Sequence, residues 1–194
     1  MNINSLRRRQ LLWYFGLTAG TAALSIGLKQ ADSQTSASDK IPSSIAVAAP
    51  NTKSLPEFQG ISQWLNSPDL DVAQLRGKVI LVQFWKFACI NCQRTLPYIT
   101  RWHREYAKQG LQVVGIHTPE FPFERDANNV KRSVKQYQIN YPVGLDNEYK
   151  TWEAYQNQHC PHLFLADRQG FLHYDHIGEG AYDKTEQTIR TLLG

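Results

Sequence analysis

The stretch that decides the fold is Val79-Ile80-Leu81-Val82-Gln83-Phe84-Trp85-Lys86-Phe87-Ala88-Cys89-Ile90-Asn91-Cys92. Residues 79–84 form a nearly continuous apolar run behind Arg76-Gly77-Lys78, as expected of a strand buried on both faces. Beyond the cysteines, Leu96, Ile99, Trp102 and Tyr106 recur at helical spacing, interrupted early by Pro97 and ended by Gly110. A buried strand hands over to a helix, with two cysteines at the junction. Cysteines three apart on a first helical turn hold their Cα atoms about 5 to 6 Å from each other, within reach of a disulfide. Cys89, at the helix start, meets unpaired backbone N–H groups and the positive end of the dipole, which predicts a thiolate there. Cys92, one turn inward, is expected to be the shielded, resolving thiol, and Lys86 adds positive charge nearby.

Outward from this junction, strands and helices alternate. Leu111–His117 reads as a strand, 124–137 as an amphipathic helix carrying Val130, Val134 and Tyr137, 141–145 as a short strand and 149–155 as a short helix. His162–Ala166 and 171–177 then read as antiparallel strands around the turn Asp167-Arg168-Gln169-Gly170, and a closing helix follows Gly180. The order β-α-β-α-β-α-β-β-α with short connections predicts an α/β fold, a mixed central sheet covered by helices on both faces.

The N-terminus belongs to targeting rather than to the fold. Arg7, Arg8 and Arg9 precede a charge-free apolar run over 11–28, the order of an export signal. The string Arg8-Arg9-Gln10-Leu11-Leu12 is similar to a twin-arginine signal, although Arg7 stands where a Ser is usual and no Lys closes the motif. The run also approaches the ~20 residues that span a bilayer, so residues 1–28 are read as either a signal peptide or a membrane anchor. Basic residues before the run predict the domain on the outer side of the membrane in both cases. Residues 29–56, rich in Ser, Ala, Thr and Pro, read as a flexible linker, and the domain itself as 57–194.

Of the 194 residues 42% are hydrophobic and 20% charged, which excludes a wholly disordered chain or a collagen. The formal charge of +4 falls largely on the N-terminal fifty residues, leaving +1 for the rest. With no basic stripe, no nucleic-acid partner is expected.

The Cys89/Cys92 pair has structural readings as well. A ribbon-type zinc site wants a second Cys-x-x-Cys, and only Cys160 remains. A purely structural bridge gains little by closing so short a loop. Between a buried strand and a helix, the pair reads as a redox couple.

The segment Trp85-Lys86-Phe87-Ala88-Cys89-Ile90-Asn91-Cys92-Gln93-Arg94-Thr95-Leu96-Pro97-Tyr98, the strand and loop Gly115-Ile116-His117-Thr118-Pro119-Glu120-Phe121, the Cys160-Pro161 junction and the Gly178-Glu179-Gly180 turn together resemble exported thioredoxin-like proteins of the TlpA and DipZ type. The resemblance covers about residues 57 to 194. It implies a thioredoxin fold and extracytoplasmic thiol-disulfide exchange with disulfide-containing exported proteins. It also implies re-reduction by a membrane thiol-reductase of the CcdA or DsbD kind. No cofactor and no metal are called for by such chemistry. In the expected cycle the Cys89 thiolate attacks a substrate disulfide, and Cys92 then attacks Cys89 to release reduced substrate. The resemblance alone favours the reductase direction.

Pro161 matches the cis-proline position of the family, which implies that the backbone of residue 160 faces Cys89 and pairs with an extended substrate segment. Gln83, where cytosolic thioredoxins carry a buried Asp, cannot titrate, and Thr95 stands where some TlpA-like reductases have a Glu. Glu120, after the strand ending at His117, is therefore the candidate proton acceptor, with an exposed loop carboxylate as its ordinary alternative. Trp85 is expected in an apolar apron around the active thiol, and Phe87 is left open between apron and core. His117 is read as a hydrogen-bonded strand-end residue. Cys160 reads as a small apolar residue in a tight spot, as a thiol able to bridge Cys89, or, with Cys89, Cys92, His159 and His162, as part of a soft-metal site.

Two further functions are weighed on the same residues. A redoxin-type thiol peroxidase would use Cys89 on peroxide, but 82–88 lacks the Pro and Thr expected upstream of a peroxidatic cysteine. A metallochaperone would use the Cys/His set around Cys160.

Overall fold

The computed structural model describes residues 53–194. The signal or anchor expected over 1–28, and the linker up to residue 52, lie outside the described residues. Among the described residues no helix is long and apolar enough to cross a membrane.

Strand β2 (Val79–Trp85) is buried along its whole length, because it lies inside the sheet and both its faces are covered. It pairs in parallel with β3 (Leu111–His117), Val79 opposite Leu111 through Trp85 opposite His117. On its other side it runs antiparallel to β5 (His162–Ala166), which pairs antiparallel with β6 (Leu172–Ile177). Beyond β3 lie β4 (Val143–Leu145), parallel, and the short β1 (Trp64–Leu65), antiparallel to β4. The order across the sheet is β1-β4-β3-β2-β5-β6.

The two-residue period of β2 sorts its side chains onto two cores. Val79, Leu81 and Trp85 enter one, with helices α1 (Ile90–Tyr106), α2 (Ala127–Gln136) and α4 (Tyr182–Leu193). Ile80, Val82 and Phe84 enter the other, against Phe164, Tyr155 and the short helix α3 (Lys150–Ala154). The expected thioredoxin fold, a mixed sheet with helices on both faces, is what the chain adopts. Leu96, Ile99, Trp102 and Tyr106 of α1 are buried as their spacing predicts. After α1 a 3-10 turn over Ala107–Gln109 ends at Gly110, whose φ of +107° suits a residue without Cβ.

Helix α4 is fastened to α1 by one enclosed carboxylate. Glu186 accepts hydrogen bonds from Tyr106 Oη at 2.7 Å, Trp102 Nε1 at 3.1 Å and Arg101 Nη2 at 2.7 Å. Burial works against its charge, but these donors and Arg190 win and hold its pKa down to about 2.

Two elements differ from the sequence reading. The expected helix over 124–137 is split: a 3-10 turn over Pro122–Arg125 comes first, and Asp126 then starts α2 by accepting from the Asn128 N–H at 2.8 Å. Pro122 and Asp126 are separate start signals four residues apart, and each is used. Strand β1, only two residues long, carries no readable period. At the other end of the sheet, Ser54 bridges Phe171, and the Leu55 N–H donates to Gly170 O at 3.0 Å.

Candidate active site

The β2–α1 junction is built by the backbone. Cys89 is the N-cap of α1, with extended φ and ψ of −87° and 115°, and its sulfur accepts the Cys92 N–H at 3.3 Å. A sulfur here replaces the usual oxygen cap and satisfies one of the free N–H groups of the first turn. Cys92 is fully buried in the α1-side core, while Cys89 is half-buried at its edge. Across from them the Cys160–Pro161 peptide bond is cis, and the Cys160 carbonyl oxygen lies 3.9 Å from Cys89 Sγ. The backbone of residue 160 therefore faces Cys89, as the family position of Pro161 implies.

Electrostatics correct the expectation of a thiolate at Cys89. Burial and the neighbouring Cys92 thiol push the Cys89 pKa up to about 11, and the N–H groups of Cys92 and Asn91 offset this only in part. Cys92 is raised further still, first by its hydrogen bond to the Cys160 thiol and then by burial. Cys89 remains the more acidic of the two and the more exposed, which fits it for attack and Cys92 for resolution. Gln83 is buried in β2, and its Oε1 accepts from the buried Tyr141 hydroxyl at 3.3 Å.

Several expected site residues sit elsewhere than in their assigned roles. Trp85 is wholly buried, packed edge-on to His117 with centroids 5.1 Å apart, so it supports the site from the core rather than forming an exposed apron. Side chains alternate along β2, and Trp85 falls with Val79 and Leu81 in the core on the α1 side. Glu120 stands on the active edge but is 55% exposed and pairs with Lys86 Nζ at 2.9 Å, its ordinary loop alternative. Lys86 itself is desolvated, which lowers its pKa, but the hydrogen bond to Glu120 prevails and the net shift is upward. His117 is not hydrogen-bonded: both ring nitrogens lack partners, and the ring stacks on Phe87 at 5.4 Å. Burial holds its pKa down to about 4, so it is neutral. Cys160 is half-buried beside the pair, with its carbonyl oxygen 3.9 Å from Cys89 Sγ. His162 spends both nitrogens on Asn157 at 2.7 Å and Asp175 at 3.0 Å. Among the described residues no group of three or more His, Cys, Asp or Glu is arranged to hold a metal ion.

Sequence reasoning missed Glu124. Its carboxyl group is fully buried and takes three backbone N–H groups: Ala88 at 3.0 Å on Oε1, and Glu120 at 2.9 Å and Phe121 at 3.1 Å on Oε2. It ties the residue before Cys89 to the loop after β3. Also missed were Ile90, Phe121 and Phe123, exposed at 56%, 45% and 51%, with the two phenyl rings stacked at 5.5 Å. Phe87 joins them through Phe123 at 5.8 Å, so the apolar apron exists but is drawn from these residues instead of Trp85.

The AhpC/TSA family pattern matches residues 52–175. The chain belongs to the AhpC/TSA family and carries a thioredoxin-like fold. Protein DipZ of Mycobacterium bovis is 43% identical over 141 residues, covering 71% of this chain and 20% of DipZ, so the chain spans a fifth of the length of that relative. Thiol-disulfide oxidoreductase YkuV of Bacillus subtilis is 26% identical, covering 72% of this chain and 93% of YkuV. The crystal structure of thioredoxin-like superfamily protein SPOA0173 superposes with a TM-score of 0.67 at 32% identity, covering 73% of this chain and 96% of that one.

Two outcomes follow from this geometry. Because the thiolate attacks and the Cys89 pKa lies near 11, alkylation of Cys89, followed by peptide mass, is expected to rise about tenfold per pH unit from pH 7 to 10. A plateau at or below pH 8 contradicts the buried environment. Glu124→Gln replaces one acceptor oxygen by a donor and leaves at least one of the three N–H groups unpaired. It is expected to cost about 1–3 kcal/mol, read as a lower Tm together with slower exchange at Cys89; an unchanged Tm and rate contradict the clamp.

Proposed function

We propose that this protein is an extracytoplasmic thiol-disulfide oxidoreductase that works as a reductase on disulfide-containing exported proteins through the Cys89/Cys92 pair. The observation that carries the reading is the sulfur arrangement: Cys89 caps α1 at the half-exposed edge, and Cys92 is buried one turn behind it. In the cycle, Cys89 as thiolate attacks one sulfur of the client disulfide. The client's other sulfur leaves with the electron pair and takes up a proton. Cys92 then attacks Cys89, releasing the second client thiol and leaving a Cys89–Cys92 disulfide. With a Cys89 pKa near 11 the thiolate is a minor species at neutral pH, but a thiol of high pKa is intrinsically the stronger nucleophile once ionised.

The client is placed by backbone and apolar contact. The Cys160–Pro161 segment opposite Cys89 offers its backbone to an extended client strand. Ile90, Phe121 and Phe123 supply the apolar rim. We assign residues 57–194 as the catalytic domain, residues 29–56 as its tether, and residues 1–28 as signal or anchor. The resemblance to TlpA- and DipZ-type proteins supports electron supply from a membrane thiol-reductase of the CcdA or DsbD kind. The basic residues before the apolar run over 11–28 support the outer side of the membrane.

The other two readings gain nothing from the structure. The Pro and Thr that a peroxidatic cysteine would require remain missing from 82–88. Of the two histidines that flank Cys160–Pro161, His162 is committed to Asn157 and Asp175 instead of a metal site.

Trapping tests the cycle directly. Cys92→Ser is expected to accumulate a mixed disulfide between Cys89 and a protein disulfide such as insulin, and the reduced wild-type chain to release insulin thiols. Absence of the adduct in Cys92→Ser, or a trap that forms through another cysteine, overturns the assignment.

A further inference from the structure

Gln93 makes a contact that the exchange cycle leaves unused. It follows Cys92 in α1, is half-buried, and turns its side chain back over the helix start. Its Nε2 donates to the Phe87 carbonyl oxygen at 2.7 Å. The Ala88 N–H, at the other end of the same peptide unit, donates to Glu124 Oε1 at 3.0 Å. In a trans peptide the C=O and N–H point in opposite directions. Gln93 and Glu124 therefore grip the Phe87–Ala88 plane from two sides, one from α1 and the other from the Pro122–Arg125 turn.

The grip lies directly against the nucleophile. The Gln93 backbone N–H donates to Cys89 O at 3.0 Å, so this residue holds the carbonyl of Cys89 with its main chain and that of Phe87 with its side chain. Between these two points the Cys89 N–H donates to Lys86 O at 3.3 Å. A peptide plane held at one end can still turn about its flanking single bonds, because φ and ψ are the soft dihedrals of the chain. Held at both ends, it turns only by breaking a hydrogen bond, and turning it over sets the Phe87 carbonyl against the Glu124 carboxyl group. Cys89 is thus entered from a single conformation of the chain before it.

We propose that Gln93 is a positioning residue for disulfide exchange: with Glu124 it fixes the Phe87–Ala88 peptide, so that Cys89 presents its sulfur to the client disulfide along one line. The proposal rests on the thiol-disulfide reading of the site. Attack on a disulfide needs the incoming sulfur aligned with the S–S bond that breaks. Gln93 carries no charge, so it governs the direction of the sulfur and leaves its ionisation alone. A small alkylating reagent turns freely to meet the thiolate, whereas a protein disulfide docked by its backbone does not.

Comparing those two reactions on the full chain tests the proposal. Gln93→Met keeps the length of the side chain and removes the donor, and Gln93→Ala removes both. In both variants the rate of insulin reduction is expected to fall about tenfold, while alkylation of Cys89 by iodoacetamide keeps the wild-type rate and pH profile. Rates are read well below the Tm of each variant, so that a loss of stability alone moves neither. An insulin rate in Gln93→Met equal to that of wild type overturns the proposal, since a packing role would slow Gln93→Ala alone. A parallel fall in both reactions also overturns it, because the effect would then lie on thiolate formation. Wild type that reduces insulin beside indifferent Gln93 variants leaves the exchange reading intact, whereas wild type that leaves insulin oxidised overturns both.

Discussion

Everything at this site depends on holding the end of a buried strand and the start of a helix at one fixed angle, with a sulfur between them. The Glu124 carboxyl group does this from underneath, gathering the N–H groups of Ala88, Glu120 and Phe121 in a place closed to water. Three N–H groups without that acceptor would face burial unpaired. The clamp therefore couples two loops: the one that leads into Cys89 and the one that carries Glu120, Phe121 and Phe123. Fixing the first orients Cys89, and fixing the second sets the position of Phe121 and Phe123.

Around that clamp the site is largely uncharged. Gln83 and Tyr141 are buried without a titrating acid between them, and His117 is held neutral between aromatic rings. At the surface, Lys86 and Glu120 pair with each other. Burial first, and the neighbouring Cys92 thiol second, raise Cys89 despite its place at a helix start. Helix-end stabilisation of a thiolate is a modest effect, and here burial together with the thiol of Cys92 exceeds it.

Much of the fold is legible because β2 and α1 carry strong patterns despite Gln83 and Pro97. A run buried on both faces and a clean helical stripe can be read without knowing their partners. Leu111–His117 and His162–Ala166 were read with the limits they have in the structure for the same reason. What escaped was settled by tertiary contact. β1 is too short to show a period, and the break before α2 depends on a carboxyl group reaching back across a turn. In the site, the cysteines and the position of Pro161 are visible as motifs, whereas the apron expected at Trp85 fails because β2, covered on both faces, buries every side chain it carries. Glu124 gave one faint signal, an acidic residue two positions after Pro122. The direction of the Cys89 shift needed the enclosure itself, which local sequence does not carry.

The account stands on Cys89 and Cys92 forming one reversible two-electron couple suited to reduction. Equilibration of the wild-type chain across glutathione buffers, with thiols counted after acid quench, measures this directly. A potential near −300 mV is the expected result for a strong reductant. A value near −120 mV, or thiols that fail to interconvert with the buffer, would contradict it.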